Sequence, residues 1–64
     1  MTLNGKTTEI KEGTSVYDLL TEKGYKIDII AVELNGEILD RNALKEIQLK
    51  NSDTMEVVMF MGGG

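Results

Sequence analysis

The sequence predicts an α+β domain of two layers, a single sheet of short strands with one helix covering one face. Three observations point there. The tripeptide Leu-Asn-Gly occurs twice, as Leu3-Asn4-Gly5 and Leu34-Asn35-Gly36; a capped helical start lies between the copies; and an apolar segment, Met55 to Met61, follows them. With 64 residues the chain has room for one domain only.

Met1 to Asn4 and Lys6 to Ile10 read as the first pair of strands, and Ile29 to Leu34 and Glu37 to Leu39 as the second. Asn-Gly between strand-like runs calls for a type I′ turn, because both central residues need positive φ. A duplication would explain the repeated tripeptide; two hairpins that each need the same turn explain it as well. Between them, Ser15 can accept a hydrogen bond from the amide of Asp18, and the Asp18 carboxylate suits a helix N-terminus. Val16, Leu19 and Leu20 then form one narrow apolar stripe, with Lys23 and Gly24 as end signals. A helix of about two turns over 16 to 23 follows, too short to persist without packing on the sheet.

Asn42 to Glu46 can form a further helical or 3₁₀ turn, with Asn42 as its cap and Leu44 and Ile47 facing inward. Asn51-Ser52-Asp53 is a polar turn before the last strand, and Gly62-Gly63-Gly64 follows that strand. Since the most apolar strand should be buried, the first and last strands are expected to be neighbours at the sheet centre. Pro is absent and no Gly-rich or Ser-rich run precedes residue 62, so 1–64 is expected to be one domain with a flexible glycine tail at 62–64.

Composition excludes several classes. Cys and His are both absent, which removes disulfide scaffolds, zinc sites and Cys or His nucleophiles together. Eleven acidic residues against seven basic ones give a net charge of -4, so nucleic acid is not an expected ligand. Apolar stretches such as Ile29 to Val32 fall far short of the roughly 20 residues that a membrane helix needs. A cytoplasmic protein with no membrane contact, monomeric when free, is expected.

No enzyme constellation is present. The carboxylate pairs Glu9/Glu12, Asp18/Glu22 and Glu33/Glu37 read as solvated surface, Ser15 reads as a helix cap, and none of the glycines opens a phosphate-binding helix. The chain is expected to catalyse nothing and to bind no cofactor or metal. What stands out is the terminus, because three consecutive glycines at a chosen position arise by chance on the order of once in several thousand chains. An appended remnant or a frayed end is the bland reading. The functional one is that a Gly run has no Cβ, enters a narrow channel, and carries a carboxylate that another protein can activate.

Alternation along the last strand adds a second clue. Met55, Val57, Met59 and Met61 share one side, while Glu56, Val58 and Phe60 share the other, which Glu56 marks as solvent. Val58 and Phe60, the only Phe of the chain, are then exposed beside the tail as a docking patch. A bulge or a register shift would instead turn Phe60 into the core.

Taken together, the first Asn-Gly hairpin, the helix start Thr14-Ser15-Val16-Tyr17-Asp18-Leu19-Leu20, the segment Ile30-Ala31-Val32-Glu33-Leu34-Asn35-Gly36, Asp53 and the Gly-Gly end resemble the ThiS family across the whole chain. These are sulfur carriers of thiamine biosynthesis with the ubiquitin-like β-grasp fold. The resemblance implies that the Gly64 carboxylate is adenylated, with ATP and magnesium held by an E1-like activating enzyme. A sulfur donor system then converts the adenylate to a thiocarboxylate, and its sulfur goes to thiazole synthase. It also implies that Gly62 and Gly63 thread the tail into the partner sites, and that Val58 and Phe60 lie on the surface the partners grip. Two departures from the family pattern are the third glycine and the Asn-Ser in front of Asp53, where a Gly is expected.

Two other classes compete with this reading. A sibling carrier would use the same thiocarboxylate for molybdopterin, cysteine or tRNA thiolation; a non-covalent β-grasp binding module would make the glycines incidental.

Overall fold

The computed structural model describes residues 1–60. Both Asn-Gly pairs take the backbone that their chemistry allows: Asn4 and Asn35 each sit at φ 51°, followed by Gly5 at 82° and Gly36 at 90°. The first turn joins β1 (Thr2–Leu3) to β2 (Lys6–Thr7), and the second joins β3 (Ile30–Leu34) to β4 (Glu37–Ile38), each pair antiparallel. Strand β5 (Thr54–Met59) lies between the hairpins, parallel to β1 and antiparallel to β3, in the order β2-β1-β5-β3-β4. The expected pairing of the first and last strands at the centre is thus observed.

The repeated tripeptide does more than turn the chain. Leu3 and Leu34 are both in register with Met55, one from each side, and Met55 is fully buried. The next residue of each copy reaches the same strand with its side chain. Asn4 Oδ1 accepts the Val57 N–H at 2.7 Å, and Asn35 Oδ1 accepts the Thr54 N–H at 2.9 Å. Each turn therefore also clamps β5.

Helix α1 (Val16–Glu22) begins as its cap dictates, with the Asp18 N–H donating to Ser15 Oγ at 3.0 Å. The two preceding donors are met by another segment, Val16 N–H by the Ile47 carbonyl at 2.9 Å and Tyr17 N–H by that of Leu44 at 3.1 Å. At the other end Gly24 sits at φ 90°, while the Tyr25 and Gly24 N–H groups donate to the carbonyls of Leu20 and Thr21, the bond pair of a Schellman ending. Val16, Leu19 and Leu20 of α1 pack into one core with Met1, Leu3, Ile30, Val32, Leu44, Leu49, Met55 and Val57.

Several boundaries differ from expectation. Strands β1 and β2 are shorter than Met1 to Asn4 and Lys6 to Ile10, although the Thr8 N–H still donates to the Met1 carbonyl at 2.8 Å and carries the hairpin one pair further. A 3₁₀ turn at Ile27–Ile29 occupies the start of the expected strand, where alternating Ile and polar residues look strand-like. The later turn is 3₁₀, Arg41–Ala43, and its cap is Asp40, which accepts the Asn42 N–H at 2.9 Å; Asn42 is not the cap. Leu44 is buried and Ile47 partly so, as expected. Met59 was expected to face the core with Met55 and Val57 but is 50% exposed. Seven helical residues cover about 10 Å and six strand residues extend about 20 Å, so one helix cannot roof the whole of β5.

Candidate functional site

Among the described residues, no layer covers the face of the sheet opposite α1. The register across β5, β3 and β4 sets Val58 beside Ala31, Glu56 beside Glu33, and Glu33 beside Ile38. Those residues share the open face because strand side chains alternate. Val58 is 61% exposed and Ile38 is 78% exposed. Phe60 lies one residue beyond β5, yet its N–H donates to the Ile29 carbonyl at 2.8 Å and so extends the ladder. The residue is 56% exposed and borders a groove of about 420 Å³ that runs from Ile38 and Arg41 to the core residues Ile30, Val32 and Leu44. A register shift that buries Phe60 does not occur.

Val58 and Phe60 are thus where alternation placed them, and three further apolar side chains are exposed with them, Met59 and Ile29 at this end of the sheet and Ile38 level with Glu56. Ile38, Met59 and Ile29 are all exposed, and sequence reasoning did not single them out as surface. For Ile38 the signal existed: it is the only apolar residue of the two-residue β4, whose partner Glu33 lies on the solvent side. Gly62, Gly63 and Gly64 lie outside the described residues. Among the described residues there is no group of three or more acidic side chains that could hold a metal, and no helix long and apolar enough to cross a membrane.

The opposite end of β5 is held by Asp53, buried at 7% exposure. Its Oδ1 accepts from Asn35 Nδ2 at 3.0 Å, its Oδ2 accepts the Lys50 N–H at 2.9 Å, and its carbonyl accepts the Thr2 N–H at 3.0 Å. These bonds, the Asn35 amide first and the Lys50 N–H next, hold the carboxyl below its ordinary value of 3.8, against the opposing effect of burial. Asp53 joins β1, the second hairpin and β5, which accounts for its place immediately before the last strand.

With this geometry in view, comparison with known proteins is decisive. The ThiS family model matches residues 1–64, the entire sequence. The chain belongs to the ThiS family. It is 38% identical over 63 residues to the sulfur carrier protein ThiS of Bacillus subtilis, covering 97% of this chain and 96% of that one. The crystal structure of the thiamine biosynthesis protein ThiS from Geobacter metallireducens superposes with a TM-score of 0.83 at 39% identity, over 98% of this chain and 96% of the other. The fold of this ThiS-family chain, five mixed strands and one helix, is therefore the ubiquitin-like β-grasp. A thiazole synthase of Magnetococcus marinus is 36% identical over 62 residues, which span 97% of this chain but only 19% of that protein. Family membership makes the chain a carrier-type domain and not an enzyme.

Proposed function

We propose that this chain is a sulfur carrier of thiamine biosynthesis, with Gly64 as the residue that bears the sulfur. The observation that carries the reading is the family match across residues 1–64, which includes the three glycines. The chemistry is consistent with it: a carboxylate is a poor acyl donor until it bears a good leaving group. An E1-like enzyme holding ATP and magnesium would transfer AMP to the Gly64 carboxylate and release pyrophosphate. Sulfur from a donor system would then displace AMP to leave the thiocarboxylate. Thiazole synthase is the proposed acceptor, supported by the segment of the Magnetococcus thiazole synthase that is similar to this chain. Gly62 and Gly63 would thread the tail, and Val58 and Phe60 would dock the partner.

The test is intact mass after incubation with an E1-like enzyme, ATP, magnesium and a sulfur source. The expected product is heavier by the replacement of one oxygen by sulfur, located on the fragment that contains Gly64. An unchanged mass refutes the carrier reading. Deleting Gly64 sharpens it, because an extended residue spans at most about 3.3 to 3.6 Å while reacting atoms must come to roughly 3 to 3.5 Å. The truncated chain is expected to fold and bind the activator, yet to exchange pyrophosphate with ATP far more slowly. Undiminished exchange would make Gly63 the working end.

A further inference from the structure

The two Asn-Gly turns share one backbone geometry but not the same side-chain neighbours, and the difference bears on a reaction that Asn-Gly peptides undergo in water. The Gly nitrogen attacks the Asn side-chain carbonyl carbon. A bond forms between Gly N and Asn Cγ, the bond from Cγ to Nδ2 breaks, and ammonia leaves with the proton given up by the Gly N–H. Water then opens the five-membered imide at one of its two carbonyls, which yields aspartate or isoaspartate. Gly lacks a Cβ, so nothing shields its nitrogen from the preceding side chain. We infer that Asn35 is a deamidation site whose conversion unlatches the second hairpin from β5, whereas conversion of Asn4 to aspartate leaves the first hairpin closed.

The argument rests on what each amide nitrogen touches. Asn35 Nδ2 donates to Asp53 Oδ1 at 3.0 Å, while its Oδ1 accepts the Thr54 N–H. Aspartate at position 35 keeps the second bond and turns the first into carboxylate against carboxylate, with no proton to share. Asp53 cannot swing aside freely, because its other oxygen is engaged by the Lys50 N–H at 2.9 Å. The charged groups acting on Asp53 are the Lys50 and Met1 ammoniums, and both already serve that one carboxylate. Asn4 Nδ2 instead donates to the Tyr25 hydroxyl at 3.3 Å. A hydroxyl donates as readily as it accepts, so aspartate at position 4 can take bonds from both the Tyr25 O–H and the Val57 N–H. With both ends of the Asn35 amide bonded, cyclisation there needs a local opening of the hairpin, and the product then resists reclosure.

Thermal unfolding of the full chain at pH 7 tests this with Asn4→Asp and Asn35→Asp. Asn4→Asp is expected to melt within about 3 °C of the parent, and Asn35→Asp to fall by on the order of 10 °C. The deficit of Asn35→Asp should shrink as the pH is lowered toward about 4, because a proton shared by the carboxyl pair restores a donor. Combining Asn35→Asp with Asp53→Asn exchanges the two groups: the new amide donates to the carboxylate at 35 and its oxygen still accepts the Lys50 N–H. Recovery of most of the lost melting temperature in this double variant is expected, and it decides the matter even if Asn35→Asp alone does not fold. Parent protein aged at mildly alkaline pH should carry aspartate at 4 in its protease-resistant fraction and aspartate or isoaspartate at 35 in its protease-sensitive one, by peptide mass mapping. Equal melting of the two single variants, or no rescue by the exchange, overturns the inference.

Discussion

The two ends of β5 are built to opposite purposes. From Thr54 to Val57 the strand is gripped from both sides: Met55 sits between Leu3 and Leu34, and the Thr54 and Val57 N–H groups are taken by Asn35 and Asn4. From Val58 to Phe60 the side chains are half exposed or more, and that of Ile29 nearby is exposed as well. One strand thus serves as the anchor of the domain and as its presented surface. In a chain of 64 residues, apolar side chains left this exposed forgo burial energy that contact with a partner would supply.

If the contrast is correct, polar substitutions must act differently at the two ends. The largest effect is expected from Val57→Asp, which sets a carboxylate without a partner into the core beside Val32. Breaking a core in this way costs roughly 3 to 5 kcal/mol, comparable to the whole stability of a domain this small, so the variant should be unfolded by circular dichroism at 25 °C. A cooperative melt close to that of the parent would end the comparison.

Next in size is Asp53→Ala, which removes the acceptor for the Lys50 N–H and the Asn35 amide. A loss of about 2 kcal/mol at neutral pH is expected by chemical denaturation. The sign of its pH dependence follows from the lowered carboxyl. In the unfolded chain Asp53 titrates near 3.8 and in the folded one lower, so its contribution is complete above 3.8 and is lost as the pH falls through the folded value. The stability gap between parent and variant should therefore close in acid; a gap that persists below the folded value would place the effect elsewhere.

How much of this was legible in the sequence depends on the range of the interaction. The turns at Asn4-Gly5 and Asn35-Gly36, the Ser15 cap and the Gly24 ending were readable because each is set by a few adjacent residues. The face of Val58 and Phe60 was readable from period two alone. Met59 was not, because its exposure depends on how far a helix some forty residues earlier in the chain reaches. The Asp53 hub was not either: it joins groups from residues 2, 35 and 50, and nothing local announces a carboxylate that serves all three. Asp40 displaced Asn42 as a cap because both residue types suit that role and only the backbone chooses between them.

The smallest expected effect on stability is the one that tests function. Phe60→Asp changes a side chain that is 56% exposed, and the bond that holds Phe60 to Ile29 uses its backbone N–H, which the substitution leaves in place. Folding stability should therefore change by no more than about 0.5 kcal/mol. Binding to an E1-like activator should nonetheless weaken by about 10- to 100-fold, since an exposed aromatic beside the tail has the properties of a hot spot and a carboxylate there must be desolvated. Melting and titration calorimetry on one preparation separate the two quantities. If Phe60→Asp unfolds the chain, this end of β5 is part of the anchor after all. If it neither unfolds the chain nor weakens binding, the bare end of the strand is not where the partner docks, and the uncovered groove beside Phe60 has another occupant.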